Sequence, residues 1–230
     1  MKFGLVLSTY VYNDERARLA AGFFASLSKT VTPSCTPLLV IVERPAVVPF
    51  HVPPESFAPF WTDVRGNNHQ GVEFSMSEQP AVYGTDIAFA RGAEYVVHLN
   101  DDALVHPRWL VELEALIGRH PGARAWSIYR SAYEATHRTL EVADGDVRVQ
   151  SLCGLGLTLS KGEWAQMGVD WRHSHWPSPS GSTLDLWHVH ARPGPRWCTA
   201  KSWMEHTGKS GIHCTPDIPE HAVDFQGSGP

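Results

Sequence analysis

At 230 residues the chain is long enough for one sizeable α/β domain with at most a small appended lobe. Its 19 basic and 24 acidic side chains leave a net charge of −5, which excludes a strong basic field for nucleic acid or anionic membrane. No apolar stretch is long enough to span a bilayer, and the opening run Lys2–Leu7 is too short for a secretory signal, so a cytoplasmic protein is expected. Cys35, Cys153, Cys198 and Cys214 are widely spaced, without paired metal-ligand spacing, and read as free thiols.

Read in order, the first half alternates strand and helix. Phe3 to Leu7 is strand-like and ends in the polar Ser8-Thr9-Tyr10. Asn13 or Asp14 then caps a helix running to about Lys29, with Leu19, Phe23, Phe24 and Leu27 on one face. Leu38 to Val42 is a second buried strand, ending in Glu43. Residues 47–71, rich in proline and aromatics, carry no clear pattern. Val72 to Met76 alternates as a third strand, Tyr83 to Arg91 is helical, Tyr95 to Leu99 is a fourth strand, and Pro107 opens a helix to about Arg119. Such alternation predicts a mostly parallel central sheet with helices on both faces.

The second half changes character. Ala123 to Tyr129 is strand-like, and Thr139 to Val142 with Val147 to Leu152 forms a hairpin about Ala143-Asp144-Gly145-Asp146. Gly154 and Gly156 do not have dinucleotide-fingerprint spacing. A short helix follows from Ser160 to about Met167. Trp176 to Thr183 is a proline- and serine-rich loop, Asp185 to Ala191 is helical, and Trp197 to Glu205 is extended. The expected organisation is a single domain over 1–216, with a nucleotide-binding half over about 1–122, an acceptor half including a small C-terminal lobe over 123–216, and a tail over 217–230.

The most informative segment is Glu94-Tyr95-Val96-Val97-His98-Leu99-Asn100-Asp101-Asp102. An apolar run of strand length stops at two adjacent carboxylates. Ligands of open α/β sheets bind beyond the carboxyl ends of such strands. Two neighbouring carboxylates repel each other unless a cation, a proton or a donor network joins them. A hard divalent ion shared with substrate phosphates explains the pair economically, and an acidic strand-to-loop turn is the plainer alternative.

Four blocks together resemble a small GT-A glycosyltransferase of the broad family-2 type. They are Leu5-Val6-Leu7-Ser8-Thr9-Tyr10, Ala90 to Asp102, Cys153-Gly154-Leu155-Gly156, and Ser202-Trp203-Met204-Glu205-His206-Thr207-Gly208. The resemblance implies a nucleotide-diphosphate-sugar donor, a divalent cation (Mn²⁺ or Mg²⁺), and a hydroxyl acceptor on a small molecule, glycan, protein or modified DNA, with no membrane partner. Asp102 and His206 match its metal ligands, with His213 as the rival histidine. Asp101 and Asn100 share the donor edge, where Asn100 stands in place of an aspartate. Ser8, Thr9, Tyr10 and Glu43 fall where strand ends meet the nucleotide. An arginine of the family is missing near Gly84-Thr85, and Thr85 takes its place among the donor-side residues.

Asp185, at a helix start, matches the base that would take the acceptor proton in an inverting transfer. It could equally be a first-turn acid that favours the helix dipole, and Glu205 and Asp170 are the fallback bases. Trp176, Trp187 and Trp203 are candidates to stack on sugar, or core residues. Two other readings stay open: a nucleotidyltransferase on a similar sheet, and a catalytically silent nucleotide- or sugar-binding module.

Overall fold

The computed structural model describes residues 1–32, 35–43, 54–66, 78–150, 152, 154–166, 194–208, 221–222 and 224–225. Strands β1 (Phe3–Thr9), β2 (Leu38–Glu43), β3 (Trp61–Gly66) and β4 (Tyr95–Asn100) lie side by side and parallel, in the order β3-β2-β1-β4. Alternate residues enter separate cores. Leu5, Leu7, Leu39, Ile41, Val97 and Leu99 pack on one face, and Val6, Val40, Val42 and Val96 on the other. Burial on both faces is why these strands read as unbroken apolar runs.

Helix α1 (Asp14–Leu27) covers the first face with Phe23, Phe24 and Leu27, joined by Trp109, Leu110 and Leu113 of α3 (Trp109–Arg119). The second face is covered by Ala88 and Phe89 of α2 (Glu78–Ala90) and by Trp164 of α5 (Lys161–Gln166). Helix α2 lies close to the sheet at Gly84, where a β-carbon would stand 2.5 Å from Val6 Cγ1 and 3.1 Å from Val42 Cγ2. Only a residue without a side chain allows that approach.

The same sheet continues into the second half. Strand β9 (Thr158–Ser160) lies antiparallel between β4 and β6 (Ala125–Ser127); β10 (Arg196–Thr199) pairs parallel with β6, and the hairpin β7 (Thr139–Ala143) and β8 (Asp146–Val149) closes the far edge. Only β8 and β9 of the nine strands run against the rest, so the central sheet is mostly parallel. Beside it, β5 (Ala103–Val105) and β11 (Met204–His206) form a two-stranded antiparallel ribbon. A short helix α4 (Ala132–His137) precedes the hairpin.

Several expectations meet a different outcome. The third parallel strand is Trp61–Gly66, inside the stretch that carried no clear pattern, while 72–76 lies outside the described residues. Its charged Asp63 and Arg65 hide the apolar run by which the inner strands are recognised. The helix expected from Pro107 begins at Trp109, and the one expected from Tyr83 begins at Glu78. The helix over 185–191 and the loop over 176–183 lie outside the described residues, as do 167–193 and 209–216 of the expected acceptor half as a whole. Among the described residues no helix is long and apolar enough to cross a membrane.

Candidate active site

The site lies at the carboxyl edge of the parallel strands. Register places Ser8 opposite Asn100 and Thr9 opposite Glu43, so β1, β2 and β4 end together. The chain leaves β4 through Asp101 and Asp102, both buried, and turns at once into β5. Buried carboxylates need partners. Asp101 finds three: the Thr9 hydroxyl donates to its Oδ2 at 2.6 Å, the Tyr10 amide to the same oxygen at 3.2 Å, and Arg16 to its Oδ1. Thr9 and Tyr10 therefore hold the acidic turn directly.

Arg16 was not foreseen in the sequence. The Asn13 side chain caps α1 by accepting from the Arg16 amide at 2.8 Å, which fixes this residue in the first helical turn beside the strand ends. From there the guanidinium forks, one nitrogen reaching Asp101 and the other donating to Asp102 Oδ2 at 2.6 Å. Burial would lower the Arg16 pKa, but the charges of Asp101 and Asp102 outweigh it and raise it. A cation in a first turn sits at the unfavourable pole of the helix dipole. That misplacement was the one available hint that Arg16 answers to something outside its own helix.

The ribbon delivers His206. Register pairs Met204 with Val105, Glu205 with Leu104 and His206 with Ala103, the neighbour of Asp102. His206 Nε2 stands 3.3 Å from Asp102 Oδ2. The next residue seals the junction: the Thr207 amide and hydroxyl both donate to the Asp102 carbonyl, at 2.8 and 2.7 Å. Gly208 then passes so close that a β-carbon there would collide with the Asp102 carboxylate. Burial pushes the Asp102 pKa up, but hydrogen bonding to His206, the His206 charge and Arg16 hold it down at about 2. Burial pushes the Asp101 carboxyl up, with Arg16, Thr9 and Tyr10 pulling the other way.

Two atoms in this cluster are left over, the donor Arg16 Nε and the acceptor Asp102 Oδ1. Asp102 Oδ1 is buried and has no hydrogen-bond partner among the described residues. An ionised oxygen in that state calls for a donor or a cation. Asp102 and His206 suit a divalent ion such as Mn²⁺, which takes carboxylate oxygen and imidazole together. Among the described residues no third His, Cys, Asp or Glu joins them, so further ligands would come from phosphate oxygens and water.

The other candidates fall into two groups. Ser8, Tyr10, Asn100 and the end of β2 at Glu43 share the edge with Asp101 and Asp102. Thr85 does not. It is fully buried beneath the sheet, its hydroxyl 2.9 Å from His98 Nε2 and donating to the Ala81 carbonyl at 2.7 Å. That hydroxyl is taken up in the packing of α2 on β4, so the donor-side role implied for Thr85 meets no support in its position. Glu205 accepts from the Ala222 amide at 3.2 Å, and its carboxyl is pushed up by burial. Trp203 sets its ring edge-on to His106, with centroids 4.9 Å apart. Asp185, Asp170, His213, Trp176 and Trp187 lie outside the described residues.

No protein-family model and no curated protein matches the chain. Solved structures do. S. aureus TarS superposes with a TM-score of 0.64 at 14% identity, over 89% of this chain and 36% of that one. The crystal structure of S. aureus TarS 1-349 superposes with a TM-score of 0.62 at 13% identity, over 91% of this chain and 61% of that one. TarS is a GT-A-like glycosyltransferase. The fold is of that kind. At such identity the likeness carries the fold, and the chain spans less than two thirds of either TarS chain.

Proposed function

We propose that the chain is a metal-assisted glycosyltransferase that moves a sugar from a nucleotide-diphosphate donor to a hydroxyl acceptor, with inversion. The observation that carries this reading is the pairing of Asp102, with its unpartnered Oδ1, and His206 at the carboxyl edge of the parallel strands. The GT-A-like fold supports it, because in such sheets this edge is where ligands bind.

In this reading Asp102 and His206 hold the cation. Bound there, a divalent ion offsets the negative charge that builds on the leaving diphosphate as the sugar–phosphate bond breaks. Asp101 has a different task. Its three donors keep it turned toward Thr9, Tyr10 and Arg16, so it fixes the direction in which Asp102 points. Ser8, Tyr10, Glu43 and Asn100 line the edge where ribose and base would lie. Asp185 is the proposed base, taking the acceptor proton as the anomeric carbon is attacked from the opposite face. The acceptor remains open among a small molecule, a glycan, a protein and a hydroxylated base in modified DNA; the net charge of −5 counts against the last.

One observation favours the silent binding module as a second reading. Arg16 already offsets one of the two charges of the acidic pair and occupies both carboxylates, and Asn100 adds no charge. Calorimetry with UDP, with and without Mn²⁺, separates the two. TarS 1-349 has been crystallised with UDP-GlcNAc and with UDP, which makes uridine nucleotides the first probes. Mn²⁺-dependent UDP binding, followed by nucleotide release from one member of a sugar-donor panel read by mass spectrometry, is the expected result. Binding that ignores Mn²⁺ and is followed by no release favours the module, and no nucleotide binding at all overturns both.

A further inference from the structure

We infer that Arg16 is an internal counter-ion competing with the divalent cation for Asp102, and that it thereby sets how tightly this site takes metal. The inference rests on the proposed metal role of Asp102. Three features carry it. The guanidinium bridges both carboxylates, bonding Asp102 Oδ2 at 2.6 Å and Asp101 Oδ1. Oδ2 is the same oxygen that faces His206 Nε2 at 3.3 Å, so arginine and imidazole converge on one atom. The other oxygen, Oδ1, is buried and unpartnered among the described residues.

The charges make the competition quantitative in sign. Two aspartates and one arginine sum to a single negative charge, against a doubly charged ion. Without Arg16 the same pocket offers two negative charges. Attraction scales with that charge and is weakly screened for buried groups. The arginine also competes for the carboxylate itself, since it already holds Oδ2, the oxygen that faces His206 Nε2. A forked donor on two carboxylates is a strong arrangement, so displacing it weakens the metal's apparent affinity. Once Asp102 is taken by a cation, Arg16 keeps Asp101 and its second nitrogen becomes available to an anionic ligand.

Titration of Mn²⁺ alone, without nucleotide, into wild type, Arg16→Gln, Arg16→Lys and the double variant Arg16→Gln/Asp102→Asn tests this. Arg16→Gln should bind Mn²⁺ tighter by on the order of tenfold or more. Arg16→Lys, whose ammonium cannot fork across two carboxylates, should fall between it and wild type. The double variant should lose the gain. Thermal melting supplies a second reading, because Mn²⁺ should raise the Tm of Arg16→Gln more than that of wild type. Equal or weaker Mn²⁺ binding by Arg16→Gln overturns the inference, and so does a gain that survives loss of Asp102. Should Arg16→Gln not fold, Arg16→Lys decides, and wild-type affinity in that variant overturns it. No arm contains a nucleotide, so a chain that never binds UDP can still show the exchange, and one that binds UDP can fail to show it.

Discussion

His206 Nε2 and Asp102 Oδ2 stand 3.3 Å apart although they lie 104 positions apart in sequence, and a three-residue ribbon is what brings them together. Because His206 pairs with Ala103 in register, its direction is set by backbone hydrogen bonds rather than by a loop. Replacing the imidazole should leave the ribbon intact, since Thr207 grips the Asp102 carbonyl through its own amide and hydroxyl. His206→Ala is therefore expected to lower Mn²⁺-dependent UDP affinity by at least about tenfold, the scale on which even outer partners of a metal act. Calorimetry beside far-ultraviolet circular dichroism checks it: the affinity should fall while the sheet content stays at the wild-type value, with a Tm lowered only by the part of Asp102's stabilisation that His206 supplies. His213→Ala retaining wild-type affinity would complete the assignment, and the reverse ranking would move the ligand to His213.

Asp102 makes the fold sensitive to acid in a defined window. Its pKa is lowered on folding from the ordinary 3.8 to about 2. A depressed carboxylate adds stability that is present above the unfolded value and is lost as pH falls through the folded one. A gap of nearly two units corresponds to about 2 kcal/mol at neutral pH. Asp102→Asn should thus be less stable than wild type by roughly that amount at pH 7, with the difference shrinking between about pH 4 and pH 2. Urea unfolding across this range checks it; a gap that does not narrow would assign the loss to shape rather than charge.

Gly208 gives a steric handle on the same carboxylate. A β-carbon there would run into Asp102. Gly208→Ala should displace the carboxylate and weaken Mn²⁺ binding, with the sheet unaffected. Mn²⁺ titration combined with far-ultraviolet circular dichroism reads both quantities, and unchanged metal affinity would show that the chain after β11 yields instead.

Thr85→Val should behave oppositely to the site variants. It removes a hydroxyl that bonds His98 in the packed layer between α2 and β4. The expected cost is about 1 kcal/mol of stability. UDP affinity should stay at the wild-type value. A selective loss of nucleotide affinity at unchanged stability would restore Thr85 to the donor side.

Asp185 tests catalysis apart from binding. A base that touches only the acceptor proton contributes little to donor affinity. Asp185→Asn should lower turnover by about 10²–10⁴ with UDP and Mn²⁺ affinity nearly unchanged. Full turnover in the variant would remove Asp185 as the base and direct the search to Asp170 and Glu205.

The parallel unit was legible because β1, β2 and β4 are buried on both faces and so announce themselves as apolar runs, and because Asn13 is a recognisable cap. The acidic pair was legible for a related reason: charge at the end of a buried strand has few explanations. Strand β3 was not, since an edge strand carrying Asp63 and Arg65 has no hydrophobic period to detect. Strands β5 and β11, at three residues each, are too short for any period, and they are the elements that seat His206. Arg16 was hidden for a further reason. Its partners lie 85 and 86 positions away, and the local hint, a cation at the unfavourable end of the helix dipole, does not say which element it belongs to.

The clasp of Thr207 on the Asp102 carbonyl joins positions 105 apart. Its consequence concerns the order of events during synthesis. Strands β1 to β4 and the acidic turn emerge from the ribosome with the first half of the chain, and Arg16 is already at hand to offset half of that turn's charge. His206 and Thr207 follow about a hundred residues later. The nascent sheet therefore carries its acidic edge partly countered by Arg16 long before His206 arrives, so the two side chains of the proposed cation site meet only once the second half of the chain has been made.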